Sequence, residues 1–439
     1  MAKKSTKKTN NSTESKRSKA VRRTVKAVAK SNNPVVITIA VLLVIAIIAL
    51  AVYGYTQGWF DAILNPSESG GGTQNDVNTA TYNVQTIANE ELSVHFLELG
   101  NKYAGDCVYI KAGQTDILID AGSRQSSATT IAAYVDQFCT DKKLEYVVAT
   151  HADQDHIAGF VGSDNKGIFD VYKCETIIDF NLTNKSPTTK SGGKSLYGKY
   201  LEKRNAEVSN DGANHFSALD CYNNTNGAQR VFTLSDSIEM EVLYNYYYEN
   251  TSSDENNYSV CLLIRQFCDG YNFDNRNDPQ NANFVRNYLF TGDLEKDGEE
   301  RLVENNDLPQ VELFKAGHHG SKTSSNDCLL SVIKPKVVCV CCCAGSDEYS
   351  DKEENKFPTQ AMIDRVSVYT DAVYVTTLSL DVADSDGKEY ASLNGNIVFA
   401  CTNGKTSMYF SNNDIKLKDT DWFKNKRTCP PKWQQSEGV

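Results

Sequence analysis

The run Tyr146-Val147-Val148-Ala149-Thr150-His151-Ala152-Asp153-Gln154-Asp155-His156 constrains this chain more than any other stretch. Its first four residues form an apolar, β-branched segment that reads as a buried strand. Four side chains able to ligate a metal then arrive within six positions: His151, Asp153, Asp155 and His156. A strand end that delivers imidazole nitrogens and carboxylate oxygens together is what a divalent metal site needs. A lone His there would read as a satisfied core or surface residue, and N-capping of a following helix is the plain alternative for the carboxylates. The spacing of all four points instead to a metal centre.

Three other stretches place a polar ligand just after an apolar strand. Leu289-Phe290-Thr291-Gly292-Asp293 offers a carboxylate that, alone, would be a turn residue. Leu313-Phe314-Lys315-Ala316-Gly317-His318-His319-Gly320-Ser321 offers two imidazoles. The chain has only six His, and four of them lie in this pair and the opening motif. Turn chemistry does not account for that concentration. In Ile117-Leu118-Ile119-Asp120-Ala121-Gly122, Asp120 reads equally well as a support of the site or as a plain turn residue.

The rest of the chain organises around these motifs. Residues 1–33 are rich in Lys, Arg, Ser, Thr and Asn and read as a solvated, basic cytoplasmic arm. Eleven Lys and Arg stand against Glu14 alone in the first thirty residues, a net +10; the whole chain is −11, so the remainder carries −21. Residues 34–55 hold an uninterrupted apolar run from Val35 to Tyr53. About 20 such residues cross a hydrocarbon core at roughly 1.5 Å each, and Tyr53, Tyr55 and Trp59 follow at the far interface. The long basic region fits an uncleaved transmembrane helix better than a cleavable signal peptide. A positive arm stays in the cytoplasm, so the expectation is a single-pass protein of the cell membrane with its C-terminal domain extracellular.

Residues 56–88 read as a flexible linker around Pro66-Ser67-Glu68-Ser69-Gly70-Gly71-Gly72. Residues 89–412 carry many strands with interleaved helices, which argues for an α/β sandwich rather than a bundle, with a polar insertion near 181–230. Residues 413–439 read as a polar tail. Among the 13 cysteines, Cys339, Cys341, Cys342 and Cys343 crowd into one apolar run. Adjacent strand residues face opposite ways, so these thiols cannot converge on one zinc; they read as small hydrophobes in a buried strand.

His151-x-Asp153-x-Asp155-His156 resembles the His-x-His-x-Asp-His signature of the metallo-β-lactamase fold, with Asp153 in place of the second His. With Thr291-Gly292-Asp293, His318-His319-Gly320-Ser321 and Ile119-Asp120-Ala121-Gly122, this variant is similar to the extracellular hydrolase domain of ComEC-type competence proteins, over about residues 92–405. Val94 to Gly100 resembles that family's opening strand, although Asn101 to Ala104 interrupt its Gly-x-Gly-Asp run before Gly105-Asp106. The resemblance implies an αββα sandwich, preceded here by the single transmembrane helix, with the site at one edge of two facing sheets. It also implies one or two divalent ions, zinc or manganese. His151 and Asp153 would hold one ion, Asp155 and His156 the other, with Asp293 bridging and His319 or His318 completing the shell. Asp155 and His318 are the catalytic candidates, His318 as proton donor or phosphate contact where His319 is the ligand. Ser321, Lys322 and Ser324 read equally as phosphate contacts or as a solvated loop. Two departures stand out. Only His215 lies between the opening motif and Asp293, in the polar insertion, while Asn256 and Asn257 match a polar stretch of the competence family. Phe357-Pro358 stands where that family has His-Pro.

These residues imply a membrane-anchored, metal-dependent hydrolase that cleaves a phosphodiester, or another small ester, with a metal-activated water. One hydrophobic span cannot form the channel of the competence proteins, so DNA uptake does not carry over with the motif. The acidic domain repels polyanions and disfavours nucleic acid as a partner. Two alternatives stand beside this reading. One is a catalytically weak or inactive binding module that keeps the fold, motivated by Phe357 and the missing third His. The other is hydrolysis of a lactone, thioester or β-lactam by the same metals. An Asp in place of a His hardens the site and shifts the expectation from zinc toward manganese.

Overall fold

The computed structural model describes residues 79–434. The basic arm, the expected transmembrane segment at 34–55 and most of the linker lie outside the described residues, as do residues 435–439. Among the described residues, no helix is long and apolar enough to cross a membrane.

In chain order the strands are β1 (Thr79–Ala80), β2 (Leu92–Phe96), β3 (Val108–Ala112), β4 (Thr115–Ile119), β5 (Lys143–Ala149) and β6 (Lys173–Asp179). Next come β7 (Asn214–Ser217), β8 (Val231–Ser235), β9 (Ile238–Val242), β10 (Leu262–Phe267), β11 (Val285–Phe290) and β12 (Leu313–Lys315). β13 (Val337–Ala344), β14 (Val373–Ser379), β15 (Tyr390–Ser392), β16 (Ile397–Thr402) and β17 (Lys405–Phe410) complete the set. They form a nine-stranded sheet, ordered β1-β17-β16-β2-β3-β4-β5-β6-β7, and an eight-stranded sheet, ordered β15-β14-β13-β12-β11-β10-β9-β8.

The two sheets pack through a shared apolar cluster. Tyr288 of β11 meets Phe399 of β16 edge to face at 5.7 Å, and Met240 and Ile264 of the second sheet join the same cluster as Val94 and Leu118 of the first. The other face of the second sheet is covered by helices. Leu263, Phe314 and Val340 pack there with Leu302, Leu330 and Met362 of the helices Lys296–Asn305, Asp327–Ile333 and Gln360–Val366. The architecture is a mixed α/β sandwich, as the sequence predicts.

β13 shows how alternation disposes of the crowded cysteines. Cys339 and Cys341 face the cluster between the sheets, while Val338, Val340 and Cys342 face the helices. All of these side chains are buried, no disulfide forms among the described residues, and burial raises each of these thiols above its ordinary pKa. They are small core hydrophobes.

Composition placed two boundaries differently from the structure. Residues 79–88, inside the expected linker, hold β1, which pairs in parallel with β17, and a helix, Val84–Ala88, capped by the Asn83 side chain and anchored by the buried Ile87. A two-residue strand and a five-residue helix are too short to show a period. In the expected polar tail, Leu417, Trp422, Phe423 and Trp433 are buried in the helical layer of the second sheet. Isolated aromatics in a polar run vanish in the average. The polar insertion, for its part, adds the edge strand β7, paired in parallel with β6.

His95 of β2 is fully buried, with Nδ1 2.8 Å from Tyr134 Oη and Nε2 2.8 Å from Ser93 Oγ. Burial, reinforced by the Lys111 charge, lowers its pKa from 6.5 to about 3. The folded value lies below the unfolded one, so the neutral ring contributes its stability in full above pH 6.5 and loses it as pH falls toward 3. Acidification from pH 7.5 to pH 5 is expected to cost about 2 kcal/mol through this group. Urea denaturation of the wild type and His95→Gln at the two pH values measures it, as the difference between the pH dependences of the two chains.

Candidate metal centre

The centre is built where three chain segments are laced together at the ends of strands. β5 stops at Ala149 and the helix Gln154–Val161 begins five residues later. Asp120, just past β4, accepts from the Thr150 backbone N–H and hydroxyl, both at 2.7 Å, and from His156 Nδ1 at 2.8 Å. The Ala121 N–H donates to the His156 carbonyl at 2.8 Å and the Asp106 N–H to the Asp155 carbonyl at 3.0 Å. This lacing explains Gly122: a Cβ there would sit 1.5 Å from the Asp155 carbonyl oxygen. Of the two readings of Asp120, the structure gives support of the site.

Asp155, His156, Asp293 and His319 bring one ligand atom each to within 4.8 Å of one another. His156 Nε2 lies 3.1 Å from Asp293 Oδ2, and His319 Nε2 lies 3.2 Å from the same oxygen and 3.3 Å from Asp155 Oδ2. These are ion-pair distances without hydrogen-bond alignment: Nε2 of both imidazoles is buried with no hydrogen-bond partner, as are His151 Nε2 and Asp293 Oδ1. Orphaned buried polar atoms are costly, and the two imidazole nitrogens left so beside Asp155 and Asp293 fit a cation held among the four residues.

The other ring nitrogens are spoken for. His156 Nδ1 faces Asp120, His319 Nδ1 lies 3.0 Å from the Cys341 carbonyl, and His151 Nδ1 lies 3.1 Å from the Thr150 hydroxyl, which itself donates to Asp120. Such partners fix the tautomer that leaves Nε2 free as a metal ligand. The field agrees. Burial disfavours charge on His156 and His319, yet Asp293 and its carboxylate neighbours outweigh it and raise both well above the ordinary His range. Asp155 and Asp293 are held below the ordinary carboxylate range against their own burial, by the same imidazoles. The pocket favours positive charge.

Local backbone sorts the adjacent histidines. His318 and His319 both have positive φ, 47° and 53°, an uncommon conformation for residues with a Cβ. His319 is buried in the ligand group, whereas the His318 side chain is 20% exposed and lies 3.3 Å from Glu295 Oε1 and 3.1 Å from Thr323 Oγ1. The structure therefore brings together four of the six expected ligands, with His319 rather than His318 as the fourth. Among the described residues, no group of three ligand atoms within 4.8 Å of one another includes His151 or Asp153. Asp153 sits at the helix N-cap position but makes no cap bond; it forms an ion pair with Lys185 and lies 3.6 Å from His151 Nε2.

His215 pairs with Asp179 at 2.9 Å and belongs to no ligand group. Asn256 lies at 3.2 Å from Glu295 and 3.5 Å from His318. Phe357, in place of the family's His, puts its ring 5.8 Å from that of His318 and 6.2 Å from that of His319. Ser324 is buried and bonded to the Asp293 carbonyl at 3.4 Å, and Lys322 is bonded to Asn355 at 2.9 Å. Beside His318 a polar cavity of about 430 Å³ opens, lined by Asp254, Asn257, Glu295 and Lys296 among others.

Sequence reasoning did not single out Asp106 or Lys315. Lys315 ends β12 with its ammonium buried, ion-paired with Asp106 Oδ2, 3.6 Å from Asp293 Oδ1 and 3.2 Å from the Gly292 carbonyl. Asp106 also lies 3.1 Å from His319 Nδ1. A lysine closing an apolar strand was the available signal.

Residues 100–231 match the family model described as the metallo-beta-lactamase superfamily, and the mixed α/β sandwich is consistent with that match. Its motifs are similar to those of ComEC-type competence proteins. A stretch of 91 residues, 21% of this chain, is 33% identical to Recombination protein 2 of Haemophilus influenzae and spans 10% of that protein's length. Among solved structures, it is similar to the metallo-beta-lactamase fold protein YhfI of Bacillus subtilis, at 10% identity over 66% of this chain and 96% of that one, with a TM-score of 0.34. A metallo-beta-lactamase of Cronobacter sakazakii shows 12% identity over 53% and 79%, with a TM-score of 0.27.

Proposed function

We propose that this chain is a membrane-anchored, metal-dependent hydrolase that cleaves a small phosphodiester outside the cell. The observation that carries the hydrolase reading is the convergence of orphaned His156 and His319 Nε2 atoms with Asp155 and Asp293. A divalent ion held by these four residues supplies a Lewis acid and makes water acidic enough to react near neutral pH. The chain's own part is positioning. Asp120 and the Cys341 carbonyl hold the two imidazoles, while Lys315 and Asp106 fix Asp293 and His319 from behind. His318, partly exposed, lies against Glu295, which is held at about 2 because its bonds to His318 and Thr323 outweigh its burial. The carboxylate beside Nδ1 orients the ring, and the imidazolium form gives its Nε2 proton to the departing oxygen.

The acidic lining beside His318, with Asp254 and Glu295, favours a small substrate over a long polyanion. The apolar run at 35–53 and the basic arm before it support the anchoring and orientation. The test is hydrolysis of bis-p-nitrophenyl phosphate by the purified full-length chain with manganese, beside chromogenic lactone, thioester and β-lactam substrates. Diester turnover that EDTA abolishes and manganese restores is expected. Turnover of another class alone would move the substrate assignment, and no turnover of any would favour a binding module.

A further inference from the structure

The opening motif holds more ligands than the ligand group uses. Asp153 and His151 stand beside it, with the His151 and His156 rings 4.1 Å apart, yet Asp153 is engaged by the Lys185 ammonium. That lysine is delivered there by a built anchor. Glu255, only 7% exposed, accepts from the Thr183 hydroxyl and the Asn184 N–H, both at 2.7 Å, and from the Ala152 N–H at 3.2 Å. One carboxylate thus ties the start of the polar insertion to the backbone between His151 and Asp153, and Lys185 follows directly from the tied residues. Its side chain is 41% exposed and Asp153 26% exposed, so the ammonium lies at the open side of the centre.

Resting on the metal-dependent reading above, we propose that Lys185 takes the place of a second cation. The centre holds one ion, in Asp155, His156, Asp293 and His319, and the ammonium fixed on Asp153 is the positive charge on its other side, offered to an anionic substrate oxygen. The physical reason is competition. A metal at His151 and Asp153 has two protein ligands, fewer than the three of a catalytic zinc site, and must displace a lysine already paired with one of them. A tethered ammonium also neutralises Asp153 without a vacant coordination position, which suits orientation of a phosphate-type oxygen as a point charge.

The full-length chain loaded with manganese tests this by metal count after gel filtration and by electron paramagnetic resonance. The wild type should hold one ion per chain with the hyperfine-split signal of an isolated ion, and Lys185→Arg should match it. Lys185→Met frees Asp153 and should take up a second ion with an exchange-coupled signal, which Lys185→Met combined with Asp153→Asn should abolish. Two coupled ions in the wild type, or an unchanged single ion in Lys185→Met, would overturn the role of Lys185 and leave the hydrolase reading standing. A wild type that binds no ion would overturn both.

Discussion

Asp293→Ala should lower kcat/KM for a phosphodiester by about 10³-fold or more, on the order of 4 kcal/mol in the barrier, without unfolding the chain. Asp293 Oδ2 lies close to both ligand imidazoles, at 3.1 Å from His156 Nε2 and 3.2 Å from His319 Nε2. Without it, Asp155 is the sole carboxylate left in the group, and two buried imidazoles face each other across a gap. The rings themselves stay in place, because Asp120 and the Cys341 carbonyl hold them through Nδ1. Circular dichroism and thermal melting of the variant should therefore resemble the wild type while turnover is lost. Asp153→Ala, outside the group, should lose much less. Activity within tenfold of wild type in Asp293→Ala would place the chemistry elsewhere.

Lys315→Met should destabilise the fold by about 3–5 kcal/mol, the range for removing one partner of a buried ion pair. Lys315 is 2% exposed and Asp106 1%. Burial opposes charge on each, but their mutual attraction wins, with Lys315 raised above its ordinary pKa and Asp106 lowered. Truncating the lysine leaves Asp106 and Asp293 as buried carboxylates without their cation. Adding Asp106→Asn removes one of those stranded charges, so the double variant should recover a large part of the loss; the non-additivity is the coupling. Urea denaturation in EDTA, with no metal to compensate, measures both. A loss under 1 kcal/mol in Lys315→Met would show that the ammonium is not the counter-charge of the centre.

What the sequence makes legible here is local. The β5 strand with its His and Asp cluster, the carboxylate after β11 and the His pair after β12 all announce themselves as ligands at strand ends, and the alternation of β13 is readable from the cysteines alone. Choices that depend on backbone twist are not readable: His319 rather than His318 enters the group because both residues adopt positive φ. Pairings across long separations are equally hidden. Nothing near Asp106 marks it as the partner of Lys315, and nothing in a polar insertion marks Lys185 as the residue that engages Asp153. Short elements such as β1, and aromatics such as Trp422 and Trp433 scattered in a polar tail, escape any reading by composition because tertiary packing alone gives them their place.

The most direct test of the centre is the metal affinity of the full-length chain by equilibrium dialysis against manganese, for the wild type, Asp155→Ala and His319→Ala. The wild type should retain manganese, and each variant should bind it at least about 10²-fold more weakly, since an interaction with the ligands themselves exceeds the 10–100-fold effect typical of residues behind them. Equal retention in all three chains, or none in the wild type, would contradict a metal centre built from Asp155, His156, Asp293 and His319.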